Sequence, residues 1–243
     1  MAQLAGDHVQ VLVGGYELTG DHNRITIDDA YKTLDATAFS DAVHKFIRGQ
    51  RQMKLAHRGY VNAAAGRSHP VLKGVSVDGV VSVLVGQNAD PAAGDPVYNL
   101  LTRQEQYKTL PEINQVIPFD AAFANRGDRS GWGVILGPPT SFTNTSNGNS
   151  VDGGAASSNG GAAFLHVLQA AASDTYTIVV EGADDSGFTT NVVTLGTFTL
   201  DASGIGSERL ALAGTISRYV RWKATRTGTA GDTVRIAVAL IRF

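Results

Sequence analysis

Two stretches near the C-terminus alternate so regularly that they leave room for only one kind of local structure. In Arg218 to Thr225, residues Val220, Trp222 and Ala224 fall on one side of an extended chain, and Tyr219, Arg221 and Lys223 fall on the other. A repeat of two is the period of a β-strand with one buried and one wetted face. Val234, Ile236, Val238 and Leu240 repeat the pattern up to Phe243. Upstream, Phe164 to Leu168, Tyr176 to Val180, Val192 to Leu200 and Glu208 to Leu212 are short apolar runs divided by Gly, Asp, Ser and Thr. Short strands in close succession with turn residues between them predict a β-sandwich.

The earlier part of the chain is also read as antiparallel β. His8 to Val13, Gly14-Gly15 and Tyr16 to Leu18 predict a hairpin, because glycine supplies the turn conformation. Arg24 to Asp28 puts Ile25 and Ile27 on one face, and Gln52 to Tyr60 does the same with Met53 and Leu55. Val80 to Val85 has the β-branched density of a buried strand. Tyr98 to Leu110 and Gln115 to Ala124 form a long hairpin across Pro111, and Gly131 to Gly137 is a last strand stopped by Pro138-Pro139. Ser40 is placed to cap a short helix over Ala42, Val43 and Phe46, closed by Gly49, and His69 to Val77 offers a second short helix.

Residues 141–161 are too rich in Ser, Asn, Gly and Thr to bury a core alone. They divide the chain into a β domain over 1–140, a linker or irregular edge over 141–161, and a β-sandwich over 162–243. The fold class is mainly β, and a duplicated domain stays open.

Composition narrows the chemistry. Lys plus Arg total 20 and Asp plus Glu 22, a net charge of −2 that gives no electrostatic reason for tight phosphate binding. There is no cysteine, so disulfides and thiolate metal sites are excluded. The opening MAQLAGDHVQ lacks a basic, then apolar leader, and no apolar run has membrane-spanning length, so a soluble, non-exported protein is expected. The 6 histidines show no paired ligand spacing, and neither a phosphate loop nor a G-x-S-x-G elbow occurs. Asp184-Asp185-Ser186-Gly187 reads as a hairpin turn rather than a calcium loop. No catalytic set, cofactor or metal is expected, although a dispersed Ser, His and Asp triad is a matter of geometry. Basic residues gather on the last two strands beside aromatic ones, which makes Tyr219, Arg221 and Lys223 candidates for surface recognition, with Trp222 on the core side.

One block is more specific. Leu34-Asp35-Ala36-Thr37-Ala38-Phe39-Ser40-Asp41, followed by Phe46, Gly49, Leu55, Gly59 and Tyr60, resembles a block of the tail tube (major tail) proteins of long-tailed, non-contractile bacteriophages. The order of elements over residues 8 to 138 is similar too. The strand with Arg218-Tyr219-Val220-Arg221 resembles a sandwich appended to some of these proteins. The resemblance implies an N-terminal tail-tube-type β-barrel or sandwich with a short helix, followed by a C-terminal β-sandwich. It implies a structural, non-enzymatic virion protein that assembles in the host cytoplasm into rings, usually of six. The rings stack into the tail tube, the conduit for genome ejection. The implied partners are the chain itself and other tail proteins such as tape measure and terminator, and DNA passes without specific binding.

By the same carry-over, Asp35, Thr37, Phe39, Asp41 and Phe46 are inter-subunit interface candidates. The plainer alternative makes Phe39 and Phe46 core residues and the carboxylates caps of a turn and a helix. The loop around Asp28-Asp29 and the exposed face of Tyr98 to Leu110 are the places to look for a channel lining, and the plainer reading has both facing ordinary solvent. Other readings are a minor tail or receptor-binding protein with a glycan-binding sandwich, and a capsid decoration protein.

Overall fold

A computed structural model describes residues 8–87 and 89–243. Residues 1–7, on which the reading of the leader rests, lie outside the described residues. The first half contains β1 (Val9–Val13), β2 (Tyr16–Glu17), β3 (His22–Asp35), β4 (Phe46–Tyr60), the one helix among the described residues that is α-helical, α1 (Ser68–Leu72), β5 (Asp78–Val85), β6 (Pro96–Thr109) and β7 (Pro118–Asn125). There follow β8 (Gly131–Phe142), β9 (Ser146–Asn147), β10 (Val151–Asp152), β11 (Gly161–Gln169), β12 (Thr175–Ala183), β13 (Val193–Thr197), β14 (Gly206–Leu212), β15 (Tyr219–Thr227) and β16 (Val234–Arg242).

These strands make an 11-stranded sheet in the order β14-β11-β16-β8-β6-β5-β1-β2, with β7, β4 and β3 branching from β6. A 5-stranded sheet, β10-β15-β12-β13 with β9 beside β15, covers one face of its C-terminal part. The branch has a local cause. The register of β6 against β7 slips between Gln104 and Gln106, and such a bulge bends a strand and raises its twist. The first part of β6 therefore pairs with β5 and β8, and the second part with β7.

Three cores follow from this layout. The first lies inside the curl of the N-terminal strands and holds Leu55, Val83, Tyr98, Phe119 and Phe123. The second lies between the two sheets and holds Leu165, Tyr176, Val220, Trp222 and Leu240. A third joins them: Ile135, Ala162, Phe164, Ala237, Ala239 and Ile241 pack against Leu12, Leu84 and Val97. Strand β15 has the expected single buried face, with Val220, Trp222 and Ala224 inward. Strand β16 does not. It is buried on both faces, and its alanines let the N-terminal strands approach the second side.

Several sequence expectations are corrected. No helix forms around Ala42 to Phe46; Leu34 pairs with Ile47 and Asp35 with Phe46, and the segment between is the tip of the β3/β4 hairpin. Gly49, expected to end that helix, lies within β4. Asp28 and Asp29 sit within strand β3 and not in a loop. Pro138-Pro139 do not stop β8. Gly137 is opposite Val238 and Thr140 opposite Ile236, so both prolines fall in a bulge where no ladder hydrogen bond is required of them. Strand β8 thus runs past residue 140, bonded to β6 near its start and to β16 along its length. Residues 141–161 contribute β9 and β10, both laid on β15.

Buried histidines give this fold an acid side. His57 is 1% exposed, packed between His22 and Phe123, and neither of its ring nitrogens meets a hydrogen-bond partner in the protein. Desolvation, and then the neighbouring His22, hold its pKa well below the ordinary value. Desolvation also lowers His22, and it brings His166 down to about 4. The unfolded chain binds these protons below about pH 6.5 whereas the folded chain refuses them. Stability is therefore complete above that pH and declines as the pH falls, each histidine contributing at most about 1.4 kcal/mol per pH unit until its own folded pKa is reached, which for His166 is about 4. Thermal unfolding between pH 7 and 4.5 is expected to show a falling midpoint, with a shallower fall in His57→Phe. A midpoint that stays level over that range contradicts the assignment.

Candidate functional site

The feature that the compact body does not account for is the β3/β4 hairpin. Its inner half is ordinary structure: Met53, Leu55 and His57 point into the first core, and Lys54 to Tyr60 pair with β7. The outer half pairs only with itself. The changeover falls at a polar clamp. Arg51 forks onto Asp29, with Nε 2.6 Å and Nη2 2.5 Å from the two carboxylate oxygens, and the Tyr98 hydroxyl donates to the same carboxylate at 3.3 Å. Arg51 Nη1 also reaches the Ser130 carbonyl, 3.4 Å away. Desolvation and the Asp29 charge push the Tyr98 hydroxyl pKa far up, so it remains a donor.

Beyond the clamp, the ribbon extends by roughly 20 Å at about 3.3 Å per residue. It carries Tyr31, Leu34, Phe39, Val43, Phe46 and Ile47, all exposed, with Phe39 entirely so and Phe46 at 62%. The backbone of the tip is set by polar groups. Asp35 Oδ1 accepts from the Thr37 amide (2.9 Å) and hydroxyl (2.5 Å), Asp41 Oδ2 accepts from the Ala38 amide (2.8 Å), and Lys45 pairs with Asp41. Thr37 Oγ1 in turn accepts from the Lys45 amide at 3.0 Å. The structure therefore gathers all five interface candidates at one place and divides their work. Asp35, Thr37 and Asp41 shape the loop, and Phe39 and Phe46 face outward rather than into a core.

A second apolar loop was not foreseen. Residues 110–117, between β6 and β7, expose Ile113 at 91% and Val116 at 65%. Val61 donates its amide to the Ile117 carbonyl, and Tyr60 pairs with Pro118, which places this loop at the end of β4 opposite the hairpin tip. The apolar letters Leu110, Ile113, Val116 and Ile117 were its only signal. The sheet thus ends in an exposed apolar group at each pole.

The recognition candidates sit on the outer face of the second sheet. Glu181, 6% exposed, accepts from Arg221 Nε (2.9 Å) and Nη2 (2.8 Å) and from Lys223 (3.2 Å). The Arg221 guanidinium also lies over Phe188, 4.1 Å from the ring centre. Tyr219 lies beneath Arg218 at 4.9 Å. The two cations are thereby engaged within the molecule, and Trp222 is core, as its register predicts.

One serine–histidine pair does occur. His166 Nδ1 donates to the Gly14 carbonyl at 2.5 Å, and its Nε2 lies 2.8 Å from Ser82 Oγ. Ser82 Oγ donates its one proton to Asn99 Oδ1 at 2.7 Å. All three residues are buried, and the adjoining void is about 10 Å³, too small for a substrate. The network ties the two halves together.

No family model matches the sequence, and no curated protein does. The fold is similar to solved structures of tail and tube assemblies. A chain in the virion of a native gene transfer agent particle is 14% identical, with a TM-score of 0.41 over 53% of this chain and 98% of that one. A chain in the sheath/tube terminator of an extracellular contractile injection system is 12% identical, with a TM-score of 0.41 over 54% and 97%. The Dit protein of phage SPP1, described as a hub of the adsorption apparatus, is 9% identical, with a TM-score of 0.34 over 96% of this chain and 99% of that one.

Proposed function

We propose that the chain is a structural subunit of a phage-type tail, and that it assembles with copies of itself into rings that stack as a tube. The observation that carries this reading is the outer half of the β3/β4 hairpin. A lone two-stranded ribbon is marginal in water, and one that exposes Tyr31, Leu34, Phe39, Val43, Phe46 and Ile47 gains stability only by burying them elsewhere. The second apolar loop at the opposite pole supports head-to-tail contact. Two different surfaces joined by rotation close into rings or continue as stacks.

In this reading residues 1–140 form the ring, 162–243 project outward, and Asp35, Thr37, Phe39, Asp41 and Phe46 belong to the joint between copies. Tape measure and terminator proteins are the neighbours along the tail. The work is conduction of a genome without specific binding, with no enzyme activity, and the place is the virion tail. Negative-stain microscopy and sedimentation of the purified chain test this. Rings or tubes are the expected result, and a monomer that persists at high concentration overturns the reading.

A further inference from the structure

A cleft of about 300 Å³ opens where the two sheets diverge, lined by Trp132, Val134, Val151, Asp152, Leu240 and Arg242 among others. Trp132 is 51% exposed, whereas the chain's other tryptophan, Trp222, is 2% exposed. The indole is held in place from behind, edge-on to Tyr98 at 5.3 Å between ring centres. It stands on β8, two residues from Val134, which pairs with Leu240 of β16, and the short strand β10 ends over the same region at Asp152.

The polar rim is fixed in advance. Asp152 receives Arg218 through both oxygens, at 2.8 Å from Nε and 2.7 Å from Nη2, and also the Gly154 amide at 2.8 Å. These bonds hold its carboxyl ionised, with a pKa down to about 2. A carboxylate offers about four acceptor positions, so three bonds leave it room for one more donor. Arg242 is immobilised by the carbonyls of Ala155, Ile216, Ser217 and Arg218 at 2.7–3.2 Å. Between rim and indole the apolar lining comes from Val134 and Val151; Val220 and Leu240, which also border the cleft, are fully buried.

We infer that this cleft binds an N-acetylated amino sugar. A flat, half-exposed indole matches the C–H face of a pyranose, a ring of apolar body and polar edge. The carboxylate accepts from a ring hydroxyl or from the amide N–H, and the apolar lining takes the acetyl methyl. A pocket of this size is at the lower limit for small ligands and suits one or two sugar rings. Tyr219 pairs with Asp152 at the rim of the cleft, whereas Arg221 and Lys223 are engaged by Glu181.

Saturation-transfer NMR and tryptophan emission on the full chain, titrated with N-acetylglucosamine, N-acetylgalactosamine and their short oligomers, test the inference. The expected result is a saturable response to at least one of them, weaker for glucose and galactose, with Kd raised about tenfold or more in Trp132→Ala. If Trp132→Ala loses its unfolding transition, Asp152→Asn carries the same comparison. No saturable response to any N-acetylated sugar overturns the proposal, as does a response that a folded Trp132→Ala retains. An emission change that follows protein concentration rather than sugar assigns the cleft to a second copy of the chain and overturns it too.

Discussion

Serine at Phe39, Phe46 and Ile47 together is expected to give a chain that folds as before and no longer assembles. All three side chains stand in solvent, and the loop that bears them is shaped by Asp35, Thr37 and Asp41, so folding has little to lose. Surface changes of this kind usually alter stability by under about 0.5 kcal/mol each. Assembly has much to lose. Aromatic anchors at the centre of an interface contribute about 2 kcal/mol or more apiece, and losing two should raise the concentration needed for rings by a hundredfold or more. Sedimentation velocity across a dilution series, beside a melting curve, separates the two effects. Assembly at the parent's concentration would sink the assignment of this tip as the joint. Serine at Ile113 and Val116 is the matching experiment at the other pole, and it should spare ring closure if those residues serve stacking.

Trp222→Ala carries the largest expected cost to the fold itself. The indole is stacked on Phe142 at 5.5 Å and lies between the two sheets. Two glycines make room for it: a Cβ at Gly137 would fall 2.2 Å from its ring nitrogen, and one at Gly148 2.3 Å. Removing a side chain so closely fitted leaves a cavity that the sheets cannot close, which costs about 3–5 kcal/mol. For a chain of this size the melting midpoint should fall by the order of 10 °C. Gly137→Ala probes the same fit from the other side, with overpacking expected to cost about 1–3 kcal/mol. A loss under 1 kcal/mol in Trp222→Ala would mean that the second sheet does not depend on this contact.

Much of this architecture was legible because period-two patterns are strong where one face is wet. Ile25 and Ile27, Met53 and Leu55, and Val220 and Trp222 all lie where alternation puts them. The pattern misled at two kinds of place. Ala42, Val43 and Phe46 imitate helical spacing, yet pairing of Leu34 with Ile47 extends the hairpin to its tip, and those residues have no core to face. Pro138-Pro139 mark a chain end only if every residue must donate to the ladder, and a bulge removes that demand. The double burial of β16 was available in Ala237, Ala239 and Ile241, apolar on the side read as wet. The clamp of Asp29, Arg51 and Tyr98 and the contact of Ser82 with His166 join residues far apart in sequence, and no local pattern announces them. The candidate interface was legible as a block of residues, while its form as a projecting apolar ribbon was not.

Strand β8 has a consequence for how such a chain can be altered. Because residues 131–142 bond to β6 and to β16, they act as a beam common to both halves and not as a strap between two modules. A cut at residue 140 would divide that beam and leave part of β16 without a neighbour, an open edge of the kind that seeds aggregation. A graft that replaces the outer half must therefore carry its own copy of this strand, and the inner half will accept only a beam that still fits β6.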